Sequence, residues 1–189
     1  MRTRKLNILK TSLGLVVLVI LLPACTQSNG QNENSTTVTP DMDIHTAVLY
    51  GDLATVKQHI EAGTDINSIE PMGGSTPLIS AATFDKREIA NALIEAGADI
   101  TIQNKDGSTA LHSAAFFCRV EIVQMLLNAN ADRTVKNNYG MTAYESIVGP
   151  FEEIKPVYEM MQQQLGPLGM QLDMEELEEA RPVIAMMLK

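Results

Sequence analysis

Hydrophobic and polar positions divide the 189-residue chain into three kinds of sequence. An unbroken apolar run from Leu13 to Leu22 follows a start that carries Arg2, Arg4, Lys5 and Lys10 and no acid. Residues 26–40 then hold no Lys or Arg and one apolar side chain, Val38. From Asp41 onward the pattern becomes periodic. Ser75-Thr76-Pro77-Leu78-Ile79-Ser80-Ala81-Ala82 returns 33 residues later as Ser108-Thr109-Ala110-Leu111-His112-Ser113-Ala114-Ala115. Likewise Leu93-Ile94-Glu95-Ala96-Gly97-Ala98-Asp99 returns as Leu126-Leu127-Asn128-Ala129-Asn130-Ala131-Asp132. Each first phrase predicts a short helix capped by Thr76 or Thr109, and each second phrase closes a following helix. An earlier copy substitutes Ile44-His45-Thr46-Ala47-Val48 for the first phrase, with Gly51-Asp52-Leu53 as its interhelical turn. Asp41 is its expected N-cap, and Gly63 its left-handed stop.

The pattern changes after Met141-Thr142-Ala143-Tyr144. Gly149-Pro150 should break the helix where a fourth copy would continue, because proline cannot donate a backbone hydrogen bond. Phe151–Leu165 is helical in composition, with Pro156 expected to start or kink it. Asp173 followed by Glu176 predicts a capping box for a last helix, which Pro182 would interrupt or restart. Ile154, Val157, Met161 and Leu165, and Ile184, Met187 and Leu188, share helical spacing, so both helices have a face to bury.

A 33-residue period built on a Thr-Pro-Leu-His-like core resembles the ankyrin repeat. The resemblance implies an all-α solenoid of helix–turn–helix units joined by β-hairpin loops and closed by a helical C-terminal cap. Its repeats span about 41–70, 71–103 and 104–136 within residues 41–141, and residues 142–189 hold a partial fourth repeat and the cap. Such a stack needs a polar terminal face, which Glu152, Glu153, Glu175, Glu176, Glu178 and Glu179 would supply. Gly74, Gly107 and Gly140, two residues before Thr76, Thr109 and Thr142, permit the positive φ of a tight loop tip.

The N-terminal segment adds an address. A basic start, a short apolar stretch and Pro23-Ala24-Cys25 read as a secretory signal. Leu22-Pro23-Ala24-Cys25 resembles the lipobox of bacterial lipoproteins, although Pro23 departs from the usual small or hydroxylic residue. The resemblance implies cleavage after residue 24, lipidation of Cys25 and a location at the bacterial cell envelope. Two or three acyl chains, at about 0.8 kcal/mol per methylene, hold a protein to a membrane lastingly. In a two-membrane envelope the outer membrane is expected, since Thr26 stands where an Asp would retain an enteric lipoprotein at the inner one. Residues 25–40 read as a flexible tether holding the domain roughly 20 Å from the lipid.

Charge narrows the partner. The leader holds four of the 14 Lys and Arg and none of the 23 Asp and Glu, so the chain from Cys25 carries 10 against 23, a net −13. Such a body repels phosphate backbones, which argues against nucleic acid and for a protein partner with a basic patch.

No phosphate loop, nucleophile elbow or metal motif is present, and no cofactor, metal, catalytic residue or small-molecule substrate is expected. In the ankyrin resemblance His45 and His112 are structural, bonding to backbone and to the capping Thr. They stand two repeats apart, roughly 20 Å for helices packed at 8–10 Å, too far to share a metal. Cys118 takes the turn position of Gly51, beside Arg119. It reads either as a substituted turn residue or, with the cation favouring a thiolate, as a reactive thiol.

Aromatics are few, four Phe and four Tyr. Tyr50, Phe84 and Phe117 share one register just before the interhelical turn, with Phe116 beside the last. In ankyrin proteins these positions face the concave groove. They form either a binding ladder, since aromatics are common interface anchors, or packing that fills the groove. The variable loop tips are the second contact surface: Met72 with Gly73, Lys105 with Asp106, and Asn138 with Tyr139. The function expected is therefore protein binding from a lipid-anchored repeat module. The alternative is an inhibitor or immunity protein that blocks an envelope or secreted enzyme, and a thiol enzyme using Cys118 ranks last.

Overall fold

A computed structural model describes residues 39–189, which form nine helical segments with no strand among the described residues. Three helix pairs come first: α1 (Ile44–Tyr50) with α2 (Leu53–Glu61), α3 (Pro77–Thr83) with α4 (Arg87–Glu95), and α5 (Ala110–Phe116) with α6 (Val120–Asn128). Then α7 (Phe151–Leu165), a 3₁₀ turn at Gly166–Leu168 and α8 (Met174–Leu188) close the chain. First helices stack on first helices, α1 on α3 and α3 on α5. Second helices stack likewise, α2 on α4 on α6, and α8 extends that row.

Local chemistry sets each boundary. Thr76 caps α3 by accepting the Ile79 N–H, and Pro77 follows at the first helical position, where a missing N–H costs nothing. Thr109 and His112 form a reciprocal capping box on α5. The first copy differs. Its cap is Asp43, not Asp41, because Asp43 accepts the Thr46 N–H at 3.0 Å and the Thr46 hydroxyl at 2.5 Å.

The interhelical turns explain a sequence substitution. Gly51, Asp85 and Cys118 occupy one position and have φ of 73°, 54° and 56°. That left-handed geometry is unstrained for glycine and mildly costly for the other two. Cys118 is thus a turn residue forced into the glycine role.

The core is one continuous apolar column. Ala47, Val48 and Val56 in the first pair, Leu78, Ile79 and Leu93 in the second, and Leu111, Ile122 and Leu126 in the third are all buried. Each large aliphatic there contributes about 1.5–3 kcal/mol relative to exposure. Small Ala81, Ala82, Ala114 and Ala115 let neighbouring first helices approach closely, and all four are fully buried.

The C-terminal part departs from the expected capping details. Thr142 and Glu145 make a reciprocal pair, Thr142 N–H to Glu145 Oε2 at 2.8 Å and Glu145 N–H to Thr142 Oγ1 at 3.2 Å. Yet residues 143–147 form only turns before Gly149-Pro150 ends them. Both Pro156 and Pro182 lie inside continuous helices, and neither starts one. Asp173 caps α8 by accepting the Glu175 and Glu176 N–H groups, and this one-sided cap replaces the expected box.

Candidate functional site

The aromatic register survives in the structure, but its members differ in exposure. Tyr50, at the end of α1, is 76 % exposed, Phe84 is half-buried, and Phe117 is 6 % exposed. Phe117 is therefore a core residue, and the expectation that it anchors a partner is corrected. Phe116 meets Phe117 edge-on at 5.1 Å and is covered from the other side by Tyr158 of α7, ring centroids 4.9 Å apart. It is half-buried, with part of its ring taken up by this packing.

Three aromatics from two segments, Phe116 and Phe117 at the end of α5 and Tyr158 of α7, thus close the C-terminal end of the register. Phe151 lies 6.1 Å from Tyr158, and the Arg181 guanidinium stands 6.0 Å from the Phe151 ring. Arg181 is buried and donates to Tyr158 Oη at 3.0 Å and to the Gly149 carbonyl at 3.0 Å. Burial pushes the Tyr158 phenol up to about 12, so it stays protonated as a donor. Sequence reading missed this covering group. A legible signal existed: Phe151, Tyr158 and Leu165 recur every seven residues, which places them on one helix face.

Cys118 lies beneath the same cap. Its Sγ is 3.6 Å from the Leu177 carbonyl of α8. Burial raises the thiol to about 11 despite the opposing charges of Arg181 and Arg119. The cation that was expected to favour a thiolate is outweighed by desolvation.

The loop tips are fingers held by few bonds. Asn104 N–H donates to the Ser108 carbonyl, and Asn137 N–H to that of Met141, each at 2.9 Å. In the first finger Glu70 stands in for further backbone pairing, its carboxylate accepting the N–H groups of Met72, Gly73 and Ser75. Successive fingers are joined by Lys105 N–H to the Gly73 carbonyl and Asn138 N–H to that of Asp106. At the tight Gly107 step a Cβ would come 2.8 Å from the Asn138 backbone nitrogen, so only glycine fits.

These bonds sort the expected finger contacts. The Lys105 ammonium donates to the Pro71 carbonyl at 2.5 Å and to that of Met72 at 2.7 Å. It is a strut between fingers, not a free rim charge. The Asn138 amide likewise donates to the Lys105 carbonyl. Asp106 is exposed, while Met72 at 82 % and Tyr139 at 68 % are the large side chains most open to solvent at the tips. Ile69, at 59 % exposed beside the first finger, was not singled out from sequence.

The histidines are structural. His112 Nδ1 accepts from the Thr109 hydroxyl at 2.9 Å, and Nε2 donates to the Met141 carbonyl at 3.2 Å, which ties α5 to the next finger. Burial lowers its pKa. His45 has no capping Thr, since Asp43 caps α1. Its Nε2 meets Ser68 Oγ at 3.2 Å and its buried Nδ1 has no partner. His59 joins the Thr64 hydroxyl to the Met42 carbonyl. Among the described residues no group of His, Cys, Asp and Glu is arranged to hold a metal ion.

The family model for ankyrin repeats matches residues 44–137 in three copies. That stretch is an ankyrin-repeat array, the class of protein-binding scaffold its stacked helix pairs define, and arrays of this class are usually non-enzymatic. A comparison with curated proteins finds no match.

Proposed function

We propose that the chain is a lipid-anchored ankyrin module that binds another protein at the bacterial cell envelope. Its contact surface would run from Tyr50 and Phe84 to the finger residues Met72 and Tyr139. The observation that carries this surface is the exposure of Tyr50 beside a half-buried Phe84 in one register, on a fold made for protein contact. Anchoring through Cys25 rests on the Leu22-Pro23-Ala24-Cys25 sequence, because residues 1–38, the leader and nearly all of the tether, lie outside the described residues. The net charge of −13 from Cys25 onward supports a partner with a basic patch. On this reading, an envelope with two membranes would carry the protein on the outer one.

Two measurements test the reading. Cys25→Ala should release the protein from the detergent-extracted membrane fraction or block its processing, and unchanged fractionation and size would remove the anchor. Tyr50→Ala and Phe84→Ala should each weaken binding of the co-purifying protein about 30-fold, the hot-spot scale of about 2 kcal/mol, with folding intact. Full affinity in both variants would move the contact away from this surface.

A further inference from the structure

The outward face of the last helix breaks the rule that a solenoid cap ends in a polar surface. Helix α8 turns Leu177, Arg181, Ile184 and Leu188 into the protein. On the opposite side, its first two turns are acidic, with Glu175, Glu176, Glu178 and Glu179 all exposed. Its last two turns are not. Pro182 is exposed there, with Val183 at 42 % and Met186 at 69 %. A cap that served solubility alone would continue the glutamates. A flexible, polarizable Met beside a branched aliphatic is instead the composition of a helix-docking surface.

We infer that this face of α8 is a second docking site, and that its occupant is a basic amphipathic helix of another protein. Since α8 extends the row of α2, α4 and α6, a partner helix laid on its free side would continue the row by one. Charge selects the occupant. The one cation within α8, Arg181, is buried and engaged with Tyr158 and Gly149, and Arg87 and Arg119 of the repeats act on Glu176, so the charge offered to a partner rests on Glu175, Glu178 and Glu179. A complementary helix presents Lys or Arg to the acidic turns and an apolar stripe to Val183 and Met186. A second copy of this chain does not fit, because it would bring its own net −13 from Cys25 onward and three more glutamates to the contact. The site is independent of the Tyr50 and Phe84 surface.

The test uses the full chain and a labelled synthetic peptide helix with Leu along one face and Lys along the other, titrated by fluorescence anisotropy. Binding to the wild type is expected to weaken at least tenfold in Met186→Glu and in Val183→Ser, both exposed positions where folding is not at stake. A peptide with the same lysines but Ser in place of Leu should bind at least tenfold more weakly. Glu178→Gln with Glu179→Gln should flatten the salt dependence, while Tyr50→Ala and Phe84→Ala should change nothing. Equal binding of the Ser peptide, or full affinity in Met186→Glu and Val183→Ser, overturns the inference. So does sedimentation of the wild type as a dimer that Met186→Glu disperses, since the occupant would then be a second copy.

Discussion

The Tyr158 hydroxyl donates to the main-chain carbonyl of Phe116 at 2.7 Å, across 42 residues of sequence, while its ring lies on the Phe116 ring. This pair fastens α7 to the end of α5. Because the same oxygen accepts from Arg181, one atom serves the repeat, the cap and a buried cation together. Tyr158→Phe keeps the ring and deletes only that oxygen. It leaves a buried donor and acceptor unmet and should lower unfolding free energy by about 1–3 kcal/mol in urea titration. A loss within experimental error would show that water or a rearranged Arg181 replaces the bond.

Core and surface positions along the aromatic register should separate in stability. Leu111→Ala and Leu126→Ala should each cost about 2–5 kcal/mol, and Phe117→Ala about 3–5 kcal/mol, as buried truncations do. All three side chains are under 7 % exposed. Tyr50→Ala should stay within about 0.5 kcal/mol of wild type, as surface changes do. Equal losses at Tyr50 and Phe117 in chemical unfolding would contradict the gradient of exposure.

Acid should weaken the domain before its carboxylates titrate. His112 and His45 have pKa values lowered from 6.5, mainly by burial. The unfolded chain therefore takes up protons first as pH drops below 6.5, and stability falls from there until the folded values are passed. Above 6.5 the contribution is complete. Carboxylates held below their usual range, Asp43 by the Thr46 hydroxyl and N–H and Glu70 by backbone N–H groups that outweigh its burial, add their loss only at lower pH. Melting temperature measured from pH 7.5 to 5 should fall less steeply in His112→Gln than in the wild type. Parallel slopes would mean that His112 titrates alike in both states.

Cys118 should be inert in the folded protein. A thiol raised to about 11 and packed under α8 presents almost no thiolate at neutral pH. An aromatic disulfide reagent at pH 7.5 should label Cys118 slowly in the native state and at once in denaturant. Rapid stoichiometric labelling of the native chain would restore the reactive-thiol reading.

The three repeats were legible in the sequence because each is a local solution repeated at constant spacing. Thr76 and Thr109 cap whatever helix follows them, and a positive-φ turn needs Gly or a tolerated stand-in wherever it falls. Leu111 and Leu126 recur with the core phrase, so their burial followed from the period. The basic, then apolar start, the lipobox-like Leu22–Cys25 and the acidic balance also stand in the sequence alone, and none of them depends on packing. What it left open was decided by contacts between segments with no shared period. Tyr50 and Phe117 occupy one register position. Yet Tyr50 ends at solvent, while Phe117 lies in the core beside a Phe116 that α7 covers through Tyr158. Lys105 is exposed, yet the neighbouring finger brings two carbonyls to its ammonium. A repeat pattern specifies the unit and its stacking. Which copies remain uncovered depends on where the non-repeating end of the chain folds back, and only the tertiary structure shows that.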